Sequence, residues 1–396
     1  MATLTSSPST ITVQPAGSVP NYIANLAPGS ALQVAAKLSS AFAGFAGETG
    51  DPIAVYGYSG GAYDTRRGRF MRTGGGHIDH NGNGVFGFSL YASENPTWTL
   101  FKPHTSPPSV TSFVGTQSIE AAPNGDPAST HTYNTLVYDA QNDRLVMMGL
   151  GSAAGGSGTA FPRIRALTLA TNSWDAQSAH PNMAVAQPGA FACYDSSARV
   201  VWAKVTQSSS PLQRFDVVAN TVSSVDDGIS NYSIDTAGAL DPTRRYMIAI
   251  GGYNDNGPLN TAVDMVLWDL GSYTGTRMTT YTRTLSGFPG ALRSAKLGLE
   301  FHPPSGSFVA WNGGNTLYRL IPPTNPFTGA WTFQTITPGG TPLPAVGSDS
   351  YGGIYSKFRW APYPDDASRG VFVMECVQGG SGNYSSSNVA IYKPNF

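Results

Sequence analysis

The stretch Asn134–Gly151, NTLVYDAQNDRLVMMGLG, decides the fold. Two short apolar runs, LVY and LVMM, flank a polar turn that opens with Asp139, and the second run ends at glycine. Runs of this length, rich in Val, Leu and Tyr and bounded by Asp, Asn and Gly, are strands, and the short turn makes them a hairpin. Asp139 has a physical task in it. Its carboxylate can accept hydrogen bonds from backbone N–H groups two residues on, which holds a tight turn in shape.

The same unit recurs on both sides. Residues 60–76 read GGAYDTRRGRFMRTGGG with Asp64, residues 189–205 GAFACYDSSARVVWAKV with Asp195, and residues 237–252 AGALDPTRRYMIAIGG with Asp241. A weaker copy, LGLEFHPPSGSFVAWNGG at 297–314, has His302 in the Asp place. The last, FRWAPYPDDASRGVFVMECVQGG at 358–380, has an enlarged turn from Pro364 to Ser368. A supersecondary unit returning about every 50–60 residues means propeller blades. Three copies continue with a third strand and a fourth bearing a tryptophan: Trp98, Trp174 and Trp331. Large aromatics at such positions are expected to pack between blades, because ring burial dominates core energetics.

The final copy ends in SNVAIYKPNF, a third strand without a fourth, whereas SALQVAAKL at 30–38 has strand length and alternation before the first copy. Residues near 31–38 are therefore expected to complete the last blade, leaving the ring without a free edge. The expected fold is all-β: six blades of four antiparallel strands, starting near 57, 131, 188, 235, 295 and 353. They form one domain over 31–396 behind an N-terminal extension over 1–30. A seventh blade stays open if Lys102–Thr130 hides further strands.

The glycine pair after the second strand and the outer-strand tryptophan resemble the kelch repeat. YSGGAYDTRRGRFMRTGGGHIDHNGNGVFGFSL and HTYNTLVYDAQNDRLVMMGLG resemble the first two blades of kelch-type, galactose-oxidase-central-domain-like proteins of bacterial and phage genomes. Galactose oxidases bind copper through two tyrosines and two histidines, one tyrosine being cross-linked to a cysteine. Here Cys193 lies mid-strand and Cys376 in a second strand, so no such grouping can be assigned, and fold likeness does not transfer chemistry. The repeated Asp-box and arginine triad of sialidases are not found either.

Composition narrows the function. Charged residues make up 12% of the 396, about half the usual share, with a net charge of −1 and no Lys/Arg run. A nucleic-acid partner, which demands a basic footprint, is excluded. Both cysteines sit in apolar stretches and read as small buried hydrophobes rather than a disulfide. The first twenty residues lack the features of a secretory signal, and no apolar run has the ~20 residues of a membrane span, so no membrane insertion is expected.

The loops joining second to third strands, and each blade to the next, converge on one face, where function concentrates. The sharpest cluster is GGGHIDHNGNG at 74–84, which sets His77, Asp79 and His80 within four positions. With His104 and His131, four of the six histidines fall on this face. Imidazole and carboxylate together can hold a divalent metal at His77, Asp79 and His80, although no cofactor is firmly implied. A calcium loop starting at Asp79 fails, since its twelfth position is Leu90 where a bidentate Glu is needed. The alternative is that His77 and Asp79 only hydrogen-bond a glycine-rich turn. Asn254 and Asp255 form a second polar loop; with His77, Asp79, His80 and His131 they make the candidate ligand-binding set. Glu120, Asp126 and Glu300 offer carboxylates at separations the sequence does not fix. No nucleophile elbow, P-loop or zinc-protease motif occurs.

The reading is a non-enzymatic binding or structural protein. The resemblance to phage-encoded proteins implies a virion component, a tail or head appendage, whose loops meet host surface glycan or other virion proteins. A carbohydrate-active enzyme using the His/Asp loop and a purely structural virion decoration are the alternatives.

Overall fold

Each hairpin forms around its turn as the sequence dictates. Asp64, Asp139, Asp195 and Asp241 accept through Oδ1 from the backbone N–H groups two and three residues on, at 3.0–3.2 Å. Four residues after each stands one left-handed residue, Gly68, Asp143, Arg199 or Arg245, and the fifth copy has Gly306 there, with φ between 56° and 63°. His302 replaces Asp for a physical reason. Two residues on is Pro304, which has no N–H to donate, and the turn is instead a short 3-10 helix, Pro303–Ser305.

The computed structural model describes residues 18–38, 59–74, 83–103, 124–127, 130–152, 160–184, 191–204, 211–230, 232–233, 235–252, 258–259, 263–293, 296–347, 353–378 and 385–396. In these, six antiparallel four-stranded blades form a ring. The innermost strands are Gly61–Asp64, Leu136–Asp139, Phe191–Asp195, Ala237–Asp241, Gly298–His302 and Phe358–Pro362. Each touches the next, and the sixth touches the first.

The N-terminal strand closes the ring as expected. Ser30–Lys37 runs antiparallel to Asn388–Lys393, with Ala31 opposite Tyr392, Leu32 opposite Ile391 and Val34 opposite Val389. A further two-residue strand, Gly339–Gly340, pairs parallel outside Ser30 and Ala31. Ahead of the clasp, the one-turn helix Asn21–Ala24 is tied to the first blade by Glu94, whose carboxylate accepts from Asn21 N at 2.8 Å.

Blades bury apolar surface against one another, giving six clusters, one per interface. The tryptophans serve here. Trp98 lies between Phe70 and Phe88 at 5.8 and 5.6 Å within the core shared by the sixth and first blades. Trp174 packs against the core of the first and second blades, and Trp331 joins that of the fourth and fifth. Both cysteines are buried and unpaired, and burial pushes the Cys376 thiol up to about 12.

On the turn face, ion pairs couple neighbouring blades. Arg67 of the first blade donates to Asp143 of the second at 2.7 Å while also pairing its own turn's Asp64. Arg245 of the fourth pairs with Asp195 of the third. The same Asp thus holds its own turn and its neighbour's arginine.

Candidate functional site

Two ends of the ring axis compete as sites, and the inner strands build both. At the loop face, the segments leading into the inner strands are stitched together. Gly60 N donates to Thr132 Oγ1 at 2.9 Å, and Gly61 N to Ser356 Oγ at 2.9 Å. Asn134 Nδ2 reaches past the third blade to Thr236 O of the fourth at 2.8 Å. Lys296 N donates to Asp235 O, and Ile354 N and Tyr355 N donate to Lys296 O, at 2.8–3.2 Å. These bonds leave little room on the axis: a Cβ on Gly60 would meet Tyr133 O at 2.0 Å and Ser356 Oγ at 2.2 Å. Tyr133 and Tyr355, both in left-handed backbone at φ 39° and 48°, meet edge to face at 5.4 Å. Bulky residues hold such angles only where the surroundings impose them.

Behind this stitching lies a buried charge cluster. Arg72 and Glu375 form a fully buried ion pair, and Arg72 also donates to Gly60 O at 3.0 Å and Ser59 Oγ at 2.7 Å. Lys357 Nζ donates to Ser59 O at 2.8 Å. Burial, with the Arg72 charge adding to it, holds the Lys357 amine well below its usual range. Burial raises the Asp235 carboxyl to about 6, with the Lys296 charge and the Tyr355 hydroxyl pulling the other way.

Of the residues singled out in the sequence, His131 is buried at this face, its Nδ1 3.0 Å from the Tyr133 hydroxyl. His77, Asp79, His80, His104, Asn254 and Asp255 lie outside the described residues. The ends of the His/Asp loop are described. Asn83 Nδ2 donates to Pro127 O at 2.9 Å, and Thr132 Oγ1 to Thr73 O at 3.2 Å. The first blade's loop thus starts and ends against the segment that leads into the second. Among the described residues, no group of three or more His, Cys, Asp and Glu could hold a metal ion.

The other end of the axis holds a cavity of about 470 Å³, lined from all six inner strands. Its mouth is formed by hairpin-turn residues, Thr65, Ala140, Ser196, Pro242 and Pro303 among them. None of the loop-face residues Gly60, Tyr133, Thr236 and Ser356 lines it. Inside, Arg359 Nη1 donates to Glu300 Oε2 at 2.9 Å, Nε to Gly61 O at 3.0 Å and Nη2 to Leu136 O at 3.3 Å. One guanidinium therefore spans the fifth, sixth, first and second blades. Burial raises the Glu300 carboxyl, and Arg359 opposes it. Cys193 lines the same cavity, its thiol pushed up by burial. Glu300 stood in the sequence as an unplaced carboxylate; Arg359 was missed. The signal available was a charge inside an inner strand, where other copies carry Leu136, Ala192 or Gly238. Asp126, the other described carboxylate candidate, pairs with Lys102 at 3.2 Å.

Fold and axis together define an all-β, six-bladed propeller of four antiparallel strands per blade, with almost no helix among the described residues and none there long and apolar enough to cross a membrane. No protein-family model matches the chain, and no curated protein matches it. Solved structures similar to it include YjhT, at 10% identity and TM-score 0.49 over 86% of this chain and 99% of that one. The major Malassezia sympodialis allergen Mala s 1 is similar at 11% identity and TM-score 0.47, over 86% and 95%. A fungal alcohol oxidase of the AA5 family, solved in complex with copper, is similar at 12% identity and TM-score 0.48, over 85% of this chain and 62% of the oxidase.

Proposed function

We propose that the protein is a non-enzymatic binding component of a phage particle, a tail or head appendage, whose loop face lies against host surface glycan. The observation that carries the reading is the stitched axis at that face. Among the described residues, Gly60, Tyr133 and Ser356 crowd the centre, which favours a partner that lies across the loops. That suits an extended polymer better than a small substrate. The loops themselves are rich in Ser, Asn and Gly, which offer hydrogen bonds without a fixed charge, and 12% charged residues match a neutral partner. The strand clasp supports the same role, since a ring closed by pairing Ser30–Lys37 with Asn388–Lys393 holds its blades in one arrangement.

The test mixes the purified protein with bacterial surface polysaccharides and records retained protein and polysaccharide chain length. Retention at unchanged length is expected. Shortened chains would replace this reading with a carbohydrate-active enzyme. Absence of both across a broad panel would refute glycan binding and leave a structural virion component bound to other virion proteins.

A further inference from the structure

The axial cavity opens opposite the loop face and is left unused by a partner lying across the loops. Three features define what it can hold. First, Arg359 is fixed by bonds to Gly61 O, Leu136 O and Glu300, which use three of its five N–H groups. One N–H on each terminal nitrogen is left over, and the side chain is 14% exposed with Glu300 at 22%, both onto the cavity they line. Second, the third and fourth blades face this pair with small groups, Ala192, Cys193, Gly238 and Ala239, so the space is on their side. Third, Tyr63, Tyr138 and Tyr194 also contribute to the lining.

We propose that this cavity binds a small neutral molecule with a carboxamide edge on an apolar body, its carbonyl taking the spare Arg359 N–H groups and its amide N–H facing Glu300. Charge decides against the alternatives. The Arg359–Glu300 pair is neutral as a whole, so an anion meets Glu300 and a cation meets Arg359, each at a cost inside a partly enclosed cavity. A sugar would bring hydroxyls on all sides against Val137, Ala192, Ala239 and Leu240, where they would go unpaired. A hydrocarbon would cover the spare guanidinium N–H groups without satisfying them. A planar amide matches the donor-and-acceptor edge and leaves its body for the apolar wall. The volume of about 470 Å³ falls in the range of ordinary small-molecule sites.

The probes are benzamide, benzoate and benzylammonium, titrated into the full chain by calorimetry and saturation-transfer NMR. Benzamide is expected to bind, and the two ions at least about tenfold more weakly, a gap of 1.4 kcal/mol or more. Ala239→Leu narrows the cavity and is expected to weaken benzamide at least about tenfold while the circular dichroism stays that of the wild type. Glu300→Gln removes the negative partner and should bring benzoate to the front of the series. Failure of benzamide to saturate at its solubility limit would overturn the proposal. So would equal affinity in a folded Ala239→Leu variant, or an unchanged order of the three probes in Glu300→Gln. The polysaccharide experiment reads the opposite face, so either result stands without the other.

Discussion

Asp235 lies where the fourth blade enters its inner strand, 2% exposed and in left-handed backbone at φ 63°. Among the described residues its Oδ1 has no hydrogen-bond partner, and burial has raised the carboxyl from 3.8 to about 6. Burial favours the protonated form. This contribution is therefore fully present below pH 3.8, where folded and unfolded chains both carry the proton, and is lost as pH rises through 6. A displacement of that size corresponds to about 3 kcal/mol at neutral pH and above. Asn has the same shape, carries no charge and tolerates left-handed backbone well. Asp235→Asn is thus expected to stabilise the folded protein by up to about 3 kcal/mol at pH 8 and to have little effect at pH 4. Urea unfolding of both proteins from pH 4 to 8 measures this as a difference, which removes every other titrating group from the comparison. A variant less stable than the wild type at pH 8, or an advantage of the same size at pH 4, would refute the reasoning.

His302 is pushed down from 6.5 to about 4 by burial, with the Arg319 charge adding to it. The folded state holds it neutral, so stability present above pH 6.5 is lost as pH falls towards 4, by about 3 kcal/mol. Histidine NMR should show its ring titrating near pH 4 in the folded protein; a midpoint near 6.5 would contradict the burial argument. Gly68→Ala forces a Cβ to 2.6 Å from Tyr91 Cδ2 at φ 63° and should cost about 1–3 kcal/mol in thermal unfolding. Gly290→Ala, with nothing within 4 Å, should be nearly neutral beside it. Ala31→Glu places an unpaired carboxylate in the apolar core between the fifth and sixth blades. It is expected to detach the N-terminal strand, read as rapid proteolytic loss of residues 30–37 from a ring that otherwise resists cleavage.

The blades were legible because the hairpin signal is local. Asp139 and its two N–H partners lie within four residues, and the same holds at Asp64, Asp195 and Asp241. The clasp was legible because Asn388–Lys393 lacks a fourth strand and Ser30–Lys37 has the matching alternation. The short Gly339–Gly340 strand was not, since two glycines carry no strand signal and pair only because Ser30 and Ala31 present an edge to them. The axial pair was illegible for a different reason. Glu300 and Arg359 belong to different blades, and their meeting depends on the register of each inner strand and on ring closure. The run GGGHIDHNGNG at 74–84 carries a stronger local signal than either residue of the pair. Of the six candidate ligand-binding residues, the described one is His131, buried beside Tyr133.

Because the sixth sheet joins Ser30–Lys37 to Asn388–Lys393, it is shared between a segment made before the first blade and one made after the other five. Five blades can assemble while synthesis proceeds, but Ser30–Lys37 must stay unpaired until Asn388–Lys393 appears. Contacts between residues more than 300 positions apart form slowly, and an open strand edge invites pairing with another molecule. The vulnerable period of this protein's life is thus the interval before closure. Slower translation or a dense population of nascent chains should raise the yield of entangled copies without altering the finished ring.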